Sequence, residues 1–214
     1  LLCLLAFIGV TLVIGVPLLL SGKPKLPKGV FANGLLYFAC IGTGFMMVQI
    51  PLIQRFSVYL GHPVYAVSVL LFSMIIAAGL GSSLSDRISV ERDKRWTLAL
   101  PLTIVVLISA IYLLSGPIIQ ATIDQGLVAR CLIVILLVAT AAIPMGMCFP
   151  LGLRLFRQYS DDRLPWMWGV NGATGVLASV LAVAISMWSG INTSLLVAIA
   201  CYALLIVPAR NLSR

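Results

Sequence analysis

Seven predominantly apolar runs, at about 1 to 20, 30 to 52, 64 to 84, 97 to 115, 128 to 152, 166 to 189 and 192 to 208, fill most of this 214-residue chain. A bilayer core about 30 Å thick needs roughly 20 helical residues to cross it, so runs of this length predict transmembrane helices. Barrel strands would be short segments of alternating polarity, and an open strand edge in lipid leaves backbone groups unpaired. The expected fold is an all-α, polytopic transmembrane bundle of about seven helices. Composition agrees, because a chain with 61% hydrophobic and 9% charged residues and a mean hydropathy of +1.13 cannot close into a water-soluble globule.

The connectors between the runs are too short for a soluble domain. Residues 1–29 read as a first membrane helix with a basic loop, and residues 30–214 as a six-helix membrane domain. The first run lacks the basic flank and small-residue cleavage site of a signal peptide, so it reads as a membrane span of a larger protein.

Cations in short loops stay on the cytoplasmic side. Here 12 of the 14 lie in alternate connectors: Lys23, Lys25 and Lys28; Arg87, Arg92, Lys94 and Arg95; Arg154, Arg157 and Arg163; Arg210 and Arg214. Only Arg55 and Arg130 fall at the other ends of the helices. The C-terminus is therefore expected in the cytoplasm, as for a protein of the bacterial inner membrane. Topology also accounts for the net charge of +8. A nucleic-acid partner would want a basic soluble face with aromatic platforms, and none is present.

Five cysteines, Cys3, Cys40, Cys131, Cys148 and Cys201, sit singly within apolar runs, the usual place for small buried thiols. Neither a metal nor a cofactor is expected. The sequence GLGSS at Gly79 to Ser83 closes a membrane run, and so is not the strand–turn–helix loop that cradles a dinucleotide.

The polar residues that stand out lie between the second and third runs: Gln49, Gln54, Arg55 and His62. Polar groups at membrane depth lose water and need protein partners, which makes them candidate ligand contacts. Two readings are open. In one, Gln49 bonds a neighbouring helix, Pro51 kinks its own, Arg55 snorkels to the interface, and Gly61, His62 and Pro63 reverse the chain. In the other, Gln49, Arg55 and His62 line an outward-facing cavity for a polar solute or lipid headgroup.

Other signals are architectural. Ala77, Gly81 and Ser85 share one helix face, as do Gly175 with Ser179 and Ala178 with Ala182 and Ser186; such faces let membrane helices approach closely. Asn171, between Gly169 and Gly172, is a candidate ligand contact or interhelical hydrogen bond. Pro144 and Pro150 bracket MGMCF and predict a bent or broken fifth run. Asp124 and Arg130 lie close enough in sequence to pair at the surface.

The run YFACIGTGFMMVQIPLIQRFSVYLGHPVYAVSVLLFSMIIAAGLGSSLSDR, then IPMGMCFPLGLRLF, then WMWGVNGATGVLASVLAVAIS, resembles the C-terminal membrane region of the spermidine synthase-like membrane proteins. The resemblance implies that the last six helices form one half of a major facilitator fold. It also implies an aminopropyltransferase-like domain elsewhere, because this chain holds no catalytic constellation. The membrane domain would anchor or regulate that part, or bind its polyamine substrate or product. Alternatives are a transporter of a small polar or cationic solute and a structural subunit of a homo-oligomer or larger membrane complex. Where the family tends to carry Glu, in a phrase like MVEIALIQRF, this chain has Gln49, which can hydrogen-bond but not titrate. Asp86 and Arg87 match part of the major facilitator loop pattern G-x-x-x-D-R-x-G-R-R, and so are candidates for a gating loop.

Overall fold

A computed structural model describes residues 2–16, 20, 27–88, 93–159 and 164–213. The expectations attached to Lys23, Lys25, Arg92, Arg163 and Arg214 lie outside these residues. The described chain is helical, with no strand: α1 (Leu2–Val10, continuing as a π-helical turn over Thr11–Gly15), α2 (Lys28–Tyr59), α3 (Pro63–Ser85), α4 (Trp96–Thr122), α5 (Leu127–Arg157), α6 (Leu164–Ser189), α7 (Ile191–Leu204) and α8 (Ile206–Leu212).

Among the described residues, six segments are long and apolar enough to cross a membrane: Gly29–Tyr59, Pro63–Ser85, Trp96–Thr122, Leu127–Arg157, Leu164–Ser189 and Ile191–Leu212. They match six of the seven expected spans. Of the first run, the described residues include a shorter apolar helix, Leu4–Gly15. It packs along α6. Large apolar side chains such as Phe72, Ile75, Ile76 and Val106 point away from the bundle, as lipid-facing positions do.

Inter-helix contacts establish which ends lie together. At one end Phe31 of α2 meets Trp166 of α6 with ring centroids 5.6 Å apart, Asn211 of α8 donates to Asn33 of α2 at 3.1 Å, and Gln158 donates to the Leu212 carbonyl at 2.6 Å. At the other end the Tyr59 and Thr122 hydroxyls are 2.6 Å apart, joining α2 to α4. Among the described residues, Arg87, Lys94, Arg95, Arg154, Arg157 and Arg210 belong to the first end, and Arg55 and Arg130 to the second. The expected charge asymmetry is therefore a spatial one. We call the first the basic end.

α2 forms the centre, packed against α3, α6 and α7, and the tightest pairing outside it is α3 on α5. In lipid there is little hydrophobic drive between helices, so close backbone approach and dispersion contacts hold such pairs. A Cβ built on Gly81 of α3 would lie 1.9 Å from the Ile143 carbonyl oxygen, and one on Gly146 of α5 would lie 2.1 Å from the Ala78 carbonyl oxygen. The predicted face of Ala77, Gly81 and Ser85 is buried in this seam. On α6, Gly175, Ala178 and Ala182 are buried, and the Ser186 hydroxyl lies 3.1 Å from that of Ser194 on α7.

Of the bent or broken run that the prolines predicted, the break is absent: α5 is continuous through Pro144 and Pro150. Neighbours brace it: the Tyr37 ring lies over Gly152, and its hydroxyl donates to the Cys148 carbonyl at 2.8 Å. α4 likewise runs through Pro117 to Thr122, although Gly116 and Pro117 read as the start of a loop. Cys40 and Cys148 are buried and Cys131 and Cys201 half-buried, all as free thiols.

The two shortest reversals use glycine in the left-handed region, Gly61 at φ +80° and Gly190 at φ +89°. Open space surrounds both, so an alanine there would be strained by its backbone angle alone. Gly190→Ala is expected to destabilise the α6–α7 hairpin by about 1–2 kcal/mol. A lower midpoint of unfolding by dodecyl sulfate would register it.

Candidate functional site

The polar stretch proves to be mostly helix. α2 ends at Tyr59, seven residues past the expected boundary, so Gln49, Gln54 and Arg55 all lie inside it and only Leu60, Gly61 and His62 make the turn. At about 100° per residue, Gln49 lies some 120° or more around the helix from both Gln54 and Arg55, so it shares a face with neither.

Their environments differ accordingly. Gln49 is buried, and its amide makes no hydrogen bond among the described residues. The Gln54 side-chain oxygen Oε1 is also buried and has no partner among the described residues. Arg55 is half-buried and ties three helices together: Nη1 donates to Ser115 of α4, and Nη2 to the Asn192 carbonyl oxygen at the start of α7. His62 is exposed and caps α3, its Nδ1 accepting from the Val64 N–H at 3.2 Å, with its ring 5.6 Å from that of Tyr65. The four residues do not converge on one cavity.

The cap makes a test of His62 direct. His62→Ala is expected to cost about 1 kcal/mol, the usual loss for a helix N-cap, whereas His62→Asn keeps an acceptor in place and most of the stability. Unfolding midpoints of the two variants separate this role from a solute contact.

Two arginines on α5 fasten its neighbours. Near its start Arg130 donates to the Tyr59 carbonyl at 2.7 Å and lies 5.9 Å from the centre of the Tyr59 ring; it does so in place of the expected pair with Asp124. Near its end Arg154 donates to the Ser85 carbonyl and, at 3.2 Å, to that of Ile88. Each cation thus meets carbonyls at the C-terminal, negative dipole end of a neighbouring helix. Asp86 and Arg87 are exposed in the turn after α3, and neither side chain bonds or pairs among the described residues. Arg154, by contrast, holds the backbone of that turn. Spacing alone pointed to neither contact, although a cation in the first or last turn of a membrane helix is a recognisable capping signal.

A concave feature of the bundle lies elsewhere, towards the basic end. A cleft of about 630 Å³ opens between α2, α3, α5 and α6, with Tyr202 of α7 at its floor. Glycines make the room: Gly42, Gly146, Gly172 and Gly175 all line it. Aromatic rings form much of the wall, with Phe149 and Trp168 edge to face at 4.5 Å and Phe38 behind Phe149, also edge to face, at 5.5 Å. Asn171 is the residue from the predicted set that the cleft contains; Gln49, Gln54, Arg55, His62, Asp86 and Arg87 are not in its lining.

Asn171 sits where α6 crosses α2. A Cβ on Gly42 would lie 2.5 Å from the Asn171 carbonyl oxygen and 3.1 Å from its Oδ1, so the absence of a side chain at Gly42 sets that approach. The Asn171 side chain makes no hydrogen bond among the described residues, which leaves two donors and an acceptor free at the cleft. The expected interhelical bond is not made.

No group of His, Cys, Asp or Glu among the described residues could hold a metal ion. Fold and site together define a polytopic membrane helix bundle with an apolar, aromatic-walled cleft. No protein-family model, curated protein or solved structure matches the chain.

Proposed function

We propose that this chain is the six-helix membrane domain of a spermidine synthase-like protein, which holds a transferase part at the membrane and binds a small molecule in the cleft. The cleft carries the reading. A volume of about 630 Å³ is in the range of small-molecule sites, and aromatic walls with a few free polar groups are how such sites are built. The ordered resemblance over residues 37–186 supplies the attached enzyme, and the six spans suit an anchor.

A second reading draws on the cleft's open side, which a second six-helix unit would close, as in a transporter of major facilitator type. A polyamine is the less favoured occupant, because no carboxylate lines the cleft and several protonated amines would enter it without counter-charge.

Deleting residues 28–213 from the full protein tests the anchoring role. Membrane partition and aminopropyl transfer should both change. If both survive unaltered, the proposed role is wrong.

A further inference from the structure

The cleft also carries information about what it takes. It is lined by no Asp, Glu, Lys, Arg or His. Removing an ion from water without a compensating partner costs far more than aromatic contact returns, so a charged group has no place to settle there.

Three polar side chains nevertheless line it without a side-chain hydrogen bond among the described residues, Ser82, Asn171 and Tyr202, and the last two carry the argument. Tyr202 lines the cleft while only 1% exposed, and its hydroxyl makes no hydrogen bond among the described residues. The Asn171 amide is likewise free, one helix away. Buried hydroxyls and amides usually find partners, and leaving one unsatisfied costs about 1–3 kcal/mol. Together they offer donors and acceptors to a single neutral head. The remaining wall, from Phe45, Met46, Met145, Phe149 and Trp168, suits an apolar body.

We infer that the cleft binds an uncharged, membrane-soluble molecule with an apolar body and one hydrogen-bonding head, such as a hydroxyl, carbonyl or amide, seated between Asn171 and Tyr202. This rests on the cleft being a ligand site. It adds the exclusion of ions, polyamines included.

Three photoreactive decyl probes of equal chain length test it on the purified protein in lipid nanodiscs: an alcohol, a trimethylammonium and a sulfate. Labelled peptides are mapped by mass spectrometry, with α4, whose Val106, Leu113 and Leu114 face outwards and which adds nothing to the cleft lining, as reference for non-specific insertion. The alcohol should label the cleft peptides about fivefold more than either charged probe, relative to that reference. Gly172→Leu, which adds a side chain where nothing lies within 4 Å, should remove the excess without lowering stability. Asn171→Ala should weaken it. Equal or stronger labelling by a charged probe overturns the neutral class and leaves the site standing. No excess with any probe, or no effect of Gly172→Leu, overturns the site itself.

Discussion

Gly146→Val should destabilise the bundle by about 3 kcal/mol or more, because it forces apart two helices whose backbones are in contact. A Cβ at this position would meet the Ala78 carbonyl oxygen at 2.1 Å and the Ala78 Cα at 2.5 Å, and backbone atoms cannot swing aside as a side chain can. Gly81→Ala meets the same seam from the other helix, 1.9 Å from the Ile143 oxygen. Separation would cost the dispersion contacts along the α3–α5 interface, with no hydrophobic term in lipid to offset the loss. Gly79→Ala is the control. It lies on the same helix with nothing within 4 Å and should leave stability unchanged or slightly raised. Unfolding midpoints in dodecyl sulfate should therefore drop sharply for the first two variants and not for the third. Equal midpoints would mean that the helices do not cross where these glycines place them.

Arg154→Ala should cost about 3 kcal/mol, from two hydrogen bonds by a charged donor at about 1.5 kcal/mol each. At the end of α3 the Ile88 carbonyl would lose the arginine donor, and the Ser85 carbonyl would keep only the Ile88 N–H at 3.0 Å. Lysine offers a point charge and not a fork, so Arg154→Lys should recover about half. Hydrogen exchange at the backbone amides of residues 84–88 gives a local readout, rising in the alanine variant if the turn is released. Unchanged exchange and stability would show that the arginine merely rests against the turn.

How much of this was legible in the sequence depends on the range of the interaction. Helix existence and order followed from apolar length, since lipid permits few other backbone solutions. The Gly61–Pro63 reversal was legible because glycine and proline act on their own backbone. Boundaries were less so. α2 and α4 continue seven residues beyond the expected ends, and each stays helical through a proline, Pro51 and Pro117, because packing against neighbours keeps a membrane helix intact past a proline.

That extension changed the meaning of the most conspicuous residues. Arg55 looked like an interfacial cation beside a turn; inside the helix it reaches Ser115 and Asn192, 60 and 137 residues away in sequence. Such partners leave no local signature. The small-residue face at Ala77, Gly81 and Ser85 could be read from its spacing, but its mate at Ile143 and Gly146 could not. The cleft was legible only at Asn171, since its wall is assembled from five helices and its volume comes from glycines that individually look like packing residues. Polarity marked the residues that fasten helices together, and the absence of side chains marked the place left open.

The central claim is that ligand access belongs to the cleft and not to the Gln49–His62 stretch. Single cysteines at Gly172 and at Gln49, placed in a variant with the five native cysteines replaced by alanine, test it most directly through their reaction with the neutral, membrane-permeant N-ethylmaleimide. Gly172→Cys faces open space and should be modified, with decanol slowing the reaction, while Gln49→Cys, at a position 6% exposed, should resist. Faster modification at Gln49 than at Gly172, or protection by decanol at Gln49 alone, would contradict it.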